Sequence, residues 1–97
     1  MTADIDKLSE LISPIAEKYG VEKVYLFGSR ARGDYTDDSD YDFSIEQGSL
    51  VRLKDYLSFI DELEAVLNCR VDVVCRSDVG NSGFYESMRS SEILIYG

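Results

Sequence analysis

The stretch from Val24 to Glu46 constrains this chain more than any other. An apolar run, Val24 to Phe27, ends at Gly28-Ser29; Arg30-Ala31-Arg32-Gly33 and a polar loop follow; then Asp40-Tyr41-Asp42-Phe43-Ser44-Ile45-Glu46 alternates polar with apolar. Such a pattern reads as a strand, a glycine-bounded turn and a second strand. Because strand side chains alternate faces, Tyr41, Phe43 and Ile45 are predicted to point one way and Asp40, Asp42 and Ser44 the other. The two carboxylates then leave the same side of one strand, roughly 6–7 Å apart at their Cα atoms. Beside an apolar back face that pairing is unfavourable unless something positive lies between the acids.

The rest of the chain supplies partners for these two strands. Asp4 to Tyr19 carries apolar residues at helical spacing (Ile5, Leu8, Leu11, Ile12, Ile15, Ala16, Tyr19), with a kink or break expected at Pro14 and a stop at Gly20. The first strand is predicted over Val21–Phe27, with both faces apolar as in a central strand. Gly28-Ser29 should start a short helical turn that Gly33 ends. The second strand is predicted over Asp40–Glu46, and Gln47-Gly48-Ser49 as a turn with Ser49 as N-cap. Leu50 to Leu67 reads as an amphipathic helix burying Leu53, Tyr56, Leu57, Ile60, Leu63, Val66 and Leu67, with Asp55, Asp61, Glu62 and Glu64 in solvent and Asn68 as its stop. Arg70–Cys75 is a third strand. There Asp72 lies between Val71 and Val73, where an aspartate needs an explanation. A loop over Ser77–Gly83, a short helix over Phe84–Ser90 and an edge strand over Ile93–Tyr96 complete the reading. The order implies a small α/β domain spanning residues 1–97, a mixed sheet with helices packed mainly on one face.

Composition narrows the chemistry. Ninety-seven residues give one core and leave no room for a separate substrate domain. The net charge is −9, so a phosphate-tracking basic face is absent and direct nucleic-acid binding is not expected; divalent cations or a basic partner suit it better. No apolar run reaches membrane-span length and the first residues are acidic, which makes the cytoplasm the expected location. Cys69 and Cys75 bracket one predicted strand, about 20 Å apart if it is continuous, beyond disulfide reach. With no histidine and two cysteines, Ser-His and Cys-His catalysis and a zinc site built from His and Cys alone are excluded.

Asp40, Asp42 and Asp72 on adjacent strands form a candidate carboxylate triad. Magnesium prefers oxygen ligands and is held by one or two carboxylates together with substrate phosphates. Three such acids would serve two ions in an in-line displacement. Across from them, the Gly28-Ser29 turn offers backbone N–H groups, close approach at glycine and a hydroxyl, all suited to phosphate. Arg30 and Arg32 are available to neutralise phosphate or to meet a partner. An EF-hand fails because Phe43 stands where glycine is required, a P-loop because Asp34 follows Gly33, and a dinucleotide fingerprint because Arg30 replaces glycine.

The spacing Gly-Ser, ten residues, Asp-x-Asp resembles the signature of the DNA polymerase β-like nucleotidyltransferase superfamily. The fuller string, Leu26-Phe-Gly-Ser-Arg-Ala-Arg-Gly through Ser39-Asp-Tyr-Asp, resembles its minimal nucleotidyltransferase (MNT) branch, whose usual partner is a HEPN-domain toxin. The resemblance implies that Asp40 and Asp42 are paired metal ligands, that Asp72 is a third carboxylate near the nucleophile, and that Gly28, Ser29 and Arg30 bind nucleotide. It further implies two Mg2+ ions, ATP as substrate, transfer of AMP to a partner's hydroxyl, an antitoxin role and a hetero-oligomer with the HEPN protein. Two other readings stay open: a non-catalytic antitoxin acting by occlusion, and a nucleotidyltransferase subunit acting on a small-molecule hydroxyl.

Overall fold

The structure, a computed structural model, describes residues 5–36, 39–76 and 92–97. The elements run α1 (Ile5–Tyr19), β1 (Lys23–Phe27), α2 (Ser29–Arg32), β2 (Tyr41–Glu46), α3 (Leu53–Leu67), β3 (Val71–Cys75) and β4 (Ile93–Tyr96). The sheet order is β3-β2-β1-β4. β1 pairs antiparallel with β2 and with β4, while β2 and β3 are parallel, so the sheet is mixed. The parallel pair is joined through α3, the crossover that parallel neighbours require.

Alternation sorts the strands into two faces. Val24, Leu26, Phe43, Ile45, Val71 and Ile95 are buried against Leu8, Ile12, Ile15 and Ala16 of α1 and Phe59 and Leu63 of α3. These residues are the core, and it lies on one side of the sheet. The opposite side carries Tyr25, Phe27, Asp42, Ser44, Asp72 and Val74. Part of it is covered by Arg76, whose guanidinium stacks 4.1 Å from the Tyr25 ring. The same side chain pairs with Glu92 at 2.5 Å and donates to the buried Ser44 hydroxyl at 3.3 Å.

Several expectations need correcting. α1 does not break at Pro14, which is exposed and sits inside a continuous helix. The buried face on both sides of the proline, Leu8 and Ile12 before it and Ile15 and Ala16 after it, docks as one surface and keeps the halves aligned. β1 begins at Lys23 because the Val21 N–H still bonds back to the Ala16 carbonyl, closing the helix end. α3 begins at Leu53, with Arg52 in the cap position and no side-chain cap, so Ser49 does not cap it. Its buried residues are Phe59 and Leu63, while Leu53 (72% exposed), Leu57 (52%) and Val66 (41%) face outward. With apolar residues spread this widely around α3, the sheet selects which third of the helix is covered, and it selects the side bearing the larger ring.

The acidic side of α3 is also more than a hydrated surface. Glu64 accepts a hydrogen bond from the Val71 N–H at 3.1 Å, and Glu62 receives Lys18 at 2.8 Å and the Tyr19 hydroxyl. These contacts tie α3 to β3 and to α1. The predicted stop at Asn68 holds, with a left-handed φ of 51°. Cys69 and Cys75 are both free thiols. The loop expected at Ser77–Gly83 and the short helix expected at Phe84–Ser90 lie outside the described residues. No helix among the described residues is long and apolar enough to cross a membrane.

Candidate active site

The candidate site forms where β1 ends and β2 begins. Gly28 follows the last residue of β1 with φ 77° and ψ −157°, a backbone conformation open in practice to glycine alone. A Cβ there would run into the Asp42 carboxylate, with the Asp42 Cγ and Cβ at 3.2 and 3.3 Å. The chain therefore needs glycine at this point on two counts, backbone shape and room for the acid. The carbonyl of Gly28 then accepts from the N–H groups of Ala31 and Arg32, both at 3.1 Å, which winds α2. Gly33, with φ 86°, ends that single turn. Ser29 is the first residue of α2, so its backbone belongs to the end of the turn where N–H groups lack helical partners.

Register brings the acids together from three segments. Asp42 lies opposite Phe27 on β1 and opposite Asp72 on β3. Adjacent strands are about 4.8 Å apart, so Asp42 and Asp72 are immediate neighbours on the core-free side. Asp40 directly precedes β2 on the same alternation. Asp42 is half-buried, Asp72 exposed. Burial pushes the Asp42 carboxyl above its ordinary value, the charges of Asp72 and Asp40 push it further, and Arg32 opposes them. That pattern is what like charges sharing a partly dry site produce. Among the described residues Asp72 makes no ion pair, so Arg30, Arg32 and Arg70 do not neutralise it.

The two arginines of the turn take different positions. Arg32 is the one whose charge reaches Asp42; it also contacts Asp34 at 3.3 Å and is half exposed. Arg30 turns to the side of β2 away from Asp42. Its guanidinium lies 4.5 Å from the Tyr35 ring and 4.4 Å from the Tyr41 ring, and donates to the Ser39 carbonyl at 2.9 Å. Sequence reasoning grouped Arg30 with the phosphate turn and left Arg32 open. Two residues along a single helical turn differ by roughly 200°, which is the signal that could have separated them.

The donor set is chemically suited to magnesium: oxygen-only, acidic and short of positive charge. Among the described residues no three His, Cys, Asp or Glu side chains are gathered closely enough to hold one ion. Magnesium usually takes one or two carboxylates and completes its shell with phosphate oxygens and water, so an ion arriving with a nucleotide fits these acids.

Comparison with known proteins agrees with this geometry. Residues 10–97 match the polymerase beta nucleotidyltransferase family. A Methanocaldococcus jannaschii protein provisionally named a protein adenylyltransferase, MJ1379, is 34% identical over 84 residues, covering 84% of this chain and 82% of that one. A solved structure provisionally described as a minimal nucleotidyltransferase superposes with a TM-score of 0.77 at 28% identity, over 94% of this chain and 95% of the other. At lower identity the fold alone is shared with two complexes. One is a toxin–antitoxin structure with AMP-PNP (TM-score 0.74, 18% identity, 92% and 73% of the two chains). The other is a tri-AMPylated Shewanella oneidensis HEPN toxin with its MNT antitoxin (0.66, 14%, 96% and 72%). With its glycine turn facing acids on two parallel strands, and with nearly the whole chain matched, this protein belongs to the polymerase β nucleotidyltransferase family, among the minimal nucleotidyltransferases.

Proposed function

We propose that this chain transfers AMP from ATP to a hydroxyl on a partner protein, in a metal-dependent reaction, and that the partner is a HEPN toxin which the transfer silences. One observation carries the reading: Asp42, held above its ordinary pKa by its partial burial and then by Asp72 and Asp40, lies against Gly28 at the mouth of the phosphate turn. A purely adhesive domain gains nothing from holding three like charges together, and the arrangement costs stability. The name of the M. jannaschii relative and the AMP-PNP and AMPylated-toxin complexes supply the nucleotide and the partner in this proposal.

In the proposed reaction the acceptor oxygen bonds to the α-phosphorus of ATP as the bond to the β-phosphate oxygen breaks, and pyrophosphate leaves. Gly28 and Ser29 face the β- and γ-phosphates, with Arg32 supplying positive charge beside them. Asp72, the most exposed of the three acids, stands where an incoming hydroxyl meets the sheet and is positioned to accept its proton. Magnesium, each ion held by one or two of Asp40, Asp42 and Asp72 together with phosphate oxygens, would supply charge neutralisation at the phosphates and a lowered pKa at the attacking oxygen. Outward-facing Val51, Leu53 and Leu57 offer apolar contact area near the start of α3.

The test is incubation with α-labelled ATP, magnesium and a candidate HEPN-domain protein, comparing wild type with Asp42→Asn. Label should appear on the partner with wild type and nearly vanish with the variant. Equal neutralisation of the toxin by both proteins would favour occlusion instead. Label on a small hydroxyl compound in place of the protein would identify the third class of acceptor.

A further inference from the structure

The Ser39 carbonyl is the point where the three segments bearing the site meet. Arg30, on α2, donates to it at 2.9 Å. Cys69, two residues before β3, donates its thiol to the same oxygen at 3.2 Å, and the two donors are 3.9 Å apart. Ser39 itself is bonded through the chain to Asp40. One oxygen therefore links the turn of Gly28 and Ser29, the strand that carries Asp40 and Asp42, and the approach to the strand that carries Asp72. Next to it the Tyr41 N–H bonds to the Arg70 carbonyl at 3.0 Å, beginning the β2–β3 ladder.

The Arg30 guanidinium also lies against two aromatic rings. It lies 4.5 Å from the Tyr35 ring and 4.4 Å from the Tyr41 ring, and Tyr41 in turn lies parallel to the fully buried Phe43, with centroids 5.9 Å apart and an angle of 3°. The stack thus runs from the turn into the core. Its Nε is buried with no hydrogen-bond partner. A group left so is committed by its surroundings and is not waiting on an open surface for phosphate. A flat cation that donates at its edge while lying against two aromatic rings is a job for arginine, and lysine cannot reproduce it.

We propose that Arg30 is a positioning residue: acting through the Ser39 carbonyl, it fixes the spacing between the phosphate-facing turn and the three aspartates. This deepens the nucleotidyltransferase reading and rests on it for its functional consequence, while the clamp itself is a property of the fold. Arg32, two residues on, carries the charge that faces the acids and is the natural control.

The experiment compares Arg30→Lys, Arg30→Ala and Arg32→Ala by amide hydrogen exchange and by transfer kinetics. Arg30→Lys keeps the charge and most of the side-chain length, which protects against simple unfolding. It should speed exchange at the Tyr41 amide by about tenfold or more while leaving the Leu26 and Phe43 amides in the sheet as in wild type. In transfer assays it should lower kcat by about 10- to 100-fold, the scale of a small misplacement of reacting groups, with KM for ATP changed little. Arg32→Ala should show the reverse kinetic split, a raised KM for ATP with unchanged Tyr41 exchange. Tyr41 exchange in Arg30→Lys identical to wild type overturns the proposal, as does a raised KM with kcat retained, which would return Arg30 to the phosphates. If wild type transfers nothing to any acceptor, the functional reading fails by itself and the exchange data still decide the clamp.

Discussion

On the helix-covered side of the sheet, Val24, Leu26, Phe43, Ile45 and Val71 are buried and apolar; one residue along the same strands, on the other side, stand Phe27, Asp42, Ser44 and Asp72. Both sets come from one alternation, and they serve opposite ends. The first removes carbon from water and supplies the stability. The second holds a half-buried Asp42 whose pKa is raised by that burial and by the like charges of Asp72 and Asp40, an arrangement the fold keeps only because the first set stabilises it. Stability and chemistry are thus separable residue by residue along a single strand, with Val71 and Asp72 as neighbours doing different work.

The comparison breaks if core residues and site residues respond alike, and the largest effect is expected in the core. Phe59→Ala removes a fully buried ring from α3 and should cost about 3–5 kcal/mol in chemical denaturation, enough to threaten a domain of this size. The folded fraction should retain normal KM for ATP. On the other face, Asp72→Asn should lower transfer by roughly 100- to 1000-fold, the usual scale for deleting one preorganised electrostatic group. It should leave the melting temperature unchanged or raised, since it removes a like charge. Val71→Ala beside it should do the opposite, costing about 2 kcal/mol with little change in kcat per folded molecule. A drop in Tm for Asp72→Asn comparable to that of Val71→Ala would erase the distinction between faces.

Gly28→Ala sharpens the comparison at the seam between β1 and the site. Positive φ alone costs a non-glycine residue about 1–3 kcal/mol, and here the added methyl also meets the Asp42 carboxylate. Asp42 must move away, so transfer should fall together with a modest loss of stability, the one variant in which both readouts change. Transfer at the wild-type rate with Gly28→Ala would show that the close approach of turn and acid is dispensable.

Most of this arrangement was legible in the sequence because it depends on local rules. The alternation of Asp40 to Glu46 gave the face of the acids, Gly28 and Gly33 bounded the turn correctly, and Asn68 ended α3 where expected. Asp72 stood out as an acid in an apolar strand, and the parallel register sets it opposite Asp42. What the sequence could not show depends on tertiary choice. α3 has apolar residues over a wide part of its circumference, so nothing local distinguishes a stripe that runs from Leu63 to Leu53 and Leu57 from one that runs from Leu63 to Phe59. Arg30 and Arg32 look equivalent in the string Arg-Ala-Arg, and only the positions of Tyr35 and Tyr41 separate them. Arg76 was missed because its partners Ser44 and Glu92 are 32 and 16 residues away.

A smaller effect follows from titration of the open face. The Asp42 pKa is raised in the folded protein by burial and by Asp72 and Asp40, so its proton favours the folded state. Its contribution is fully present below the ordinary carboxylate value near 3.8 and is lost as pH rises through the raised one. Glu62, lowered by its hydrogen bonds to Lys18 and Tyr19, has the opposite sign, gaining stability above the ordinary range and losing it as pH falls through its lowered value. The difference between wild type and Asp42→Asn isolates the Asp42 contribution. In metal-free protein the stability advantage of the variant should grow as pH rises from about 4, and magnesium with nucleotide should reduce it. An advantage independent of pH would mean that neither burial nor the charges of Asp72 and Asp40 raise the Asp42 pKa in the folded chain.

The smallest effect tests the other side of α3. Leu57 is 52% exposed and Leu53 72%, so Leu57→Ala and Leu53→Ala should each change stability by no more than about 0.5 kcal/mol, an order of magnitude below Phe59→Ala on the same helix. These side chains leave water only if a partner covers them. Both substitutions should therefore leave unfolding curves superimposed on wild type and AMP transfer to a small hydroxyl acceptor unaffected, while raising KM for the partner protein if α3 meets it. A loss of several kcal/mol from Leu57→Ala would mean that α3 packs through the stripe expected from the sequence. In that case Phe59 could not be the residue that seats α3 against the sheet, and the core-side half of the comparison would have to be redrawn.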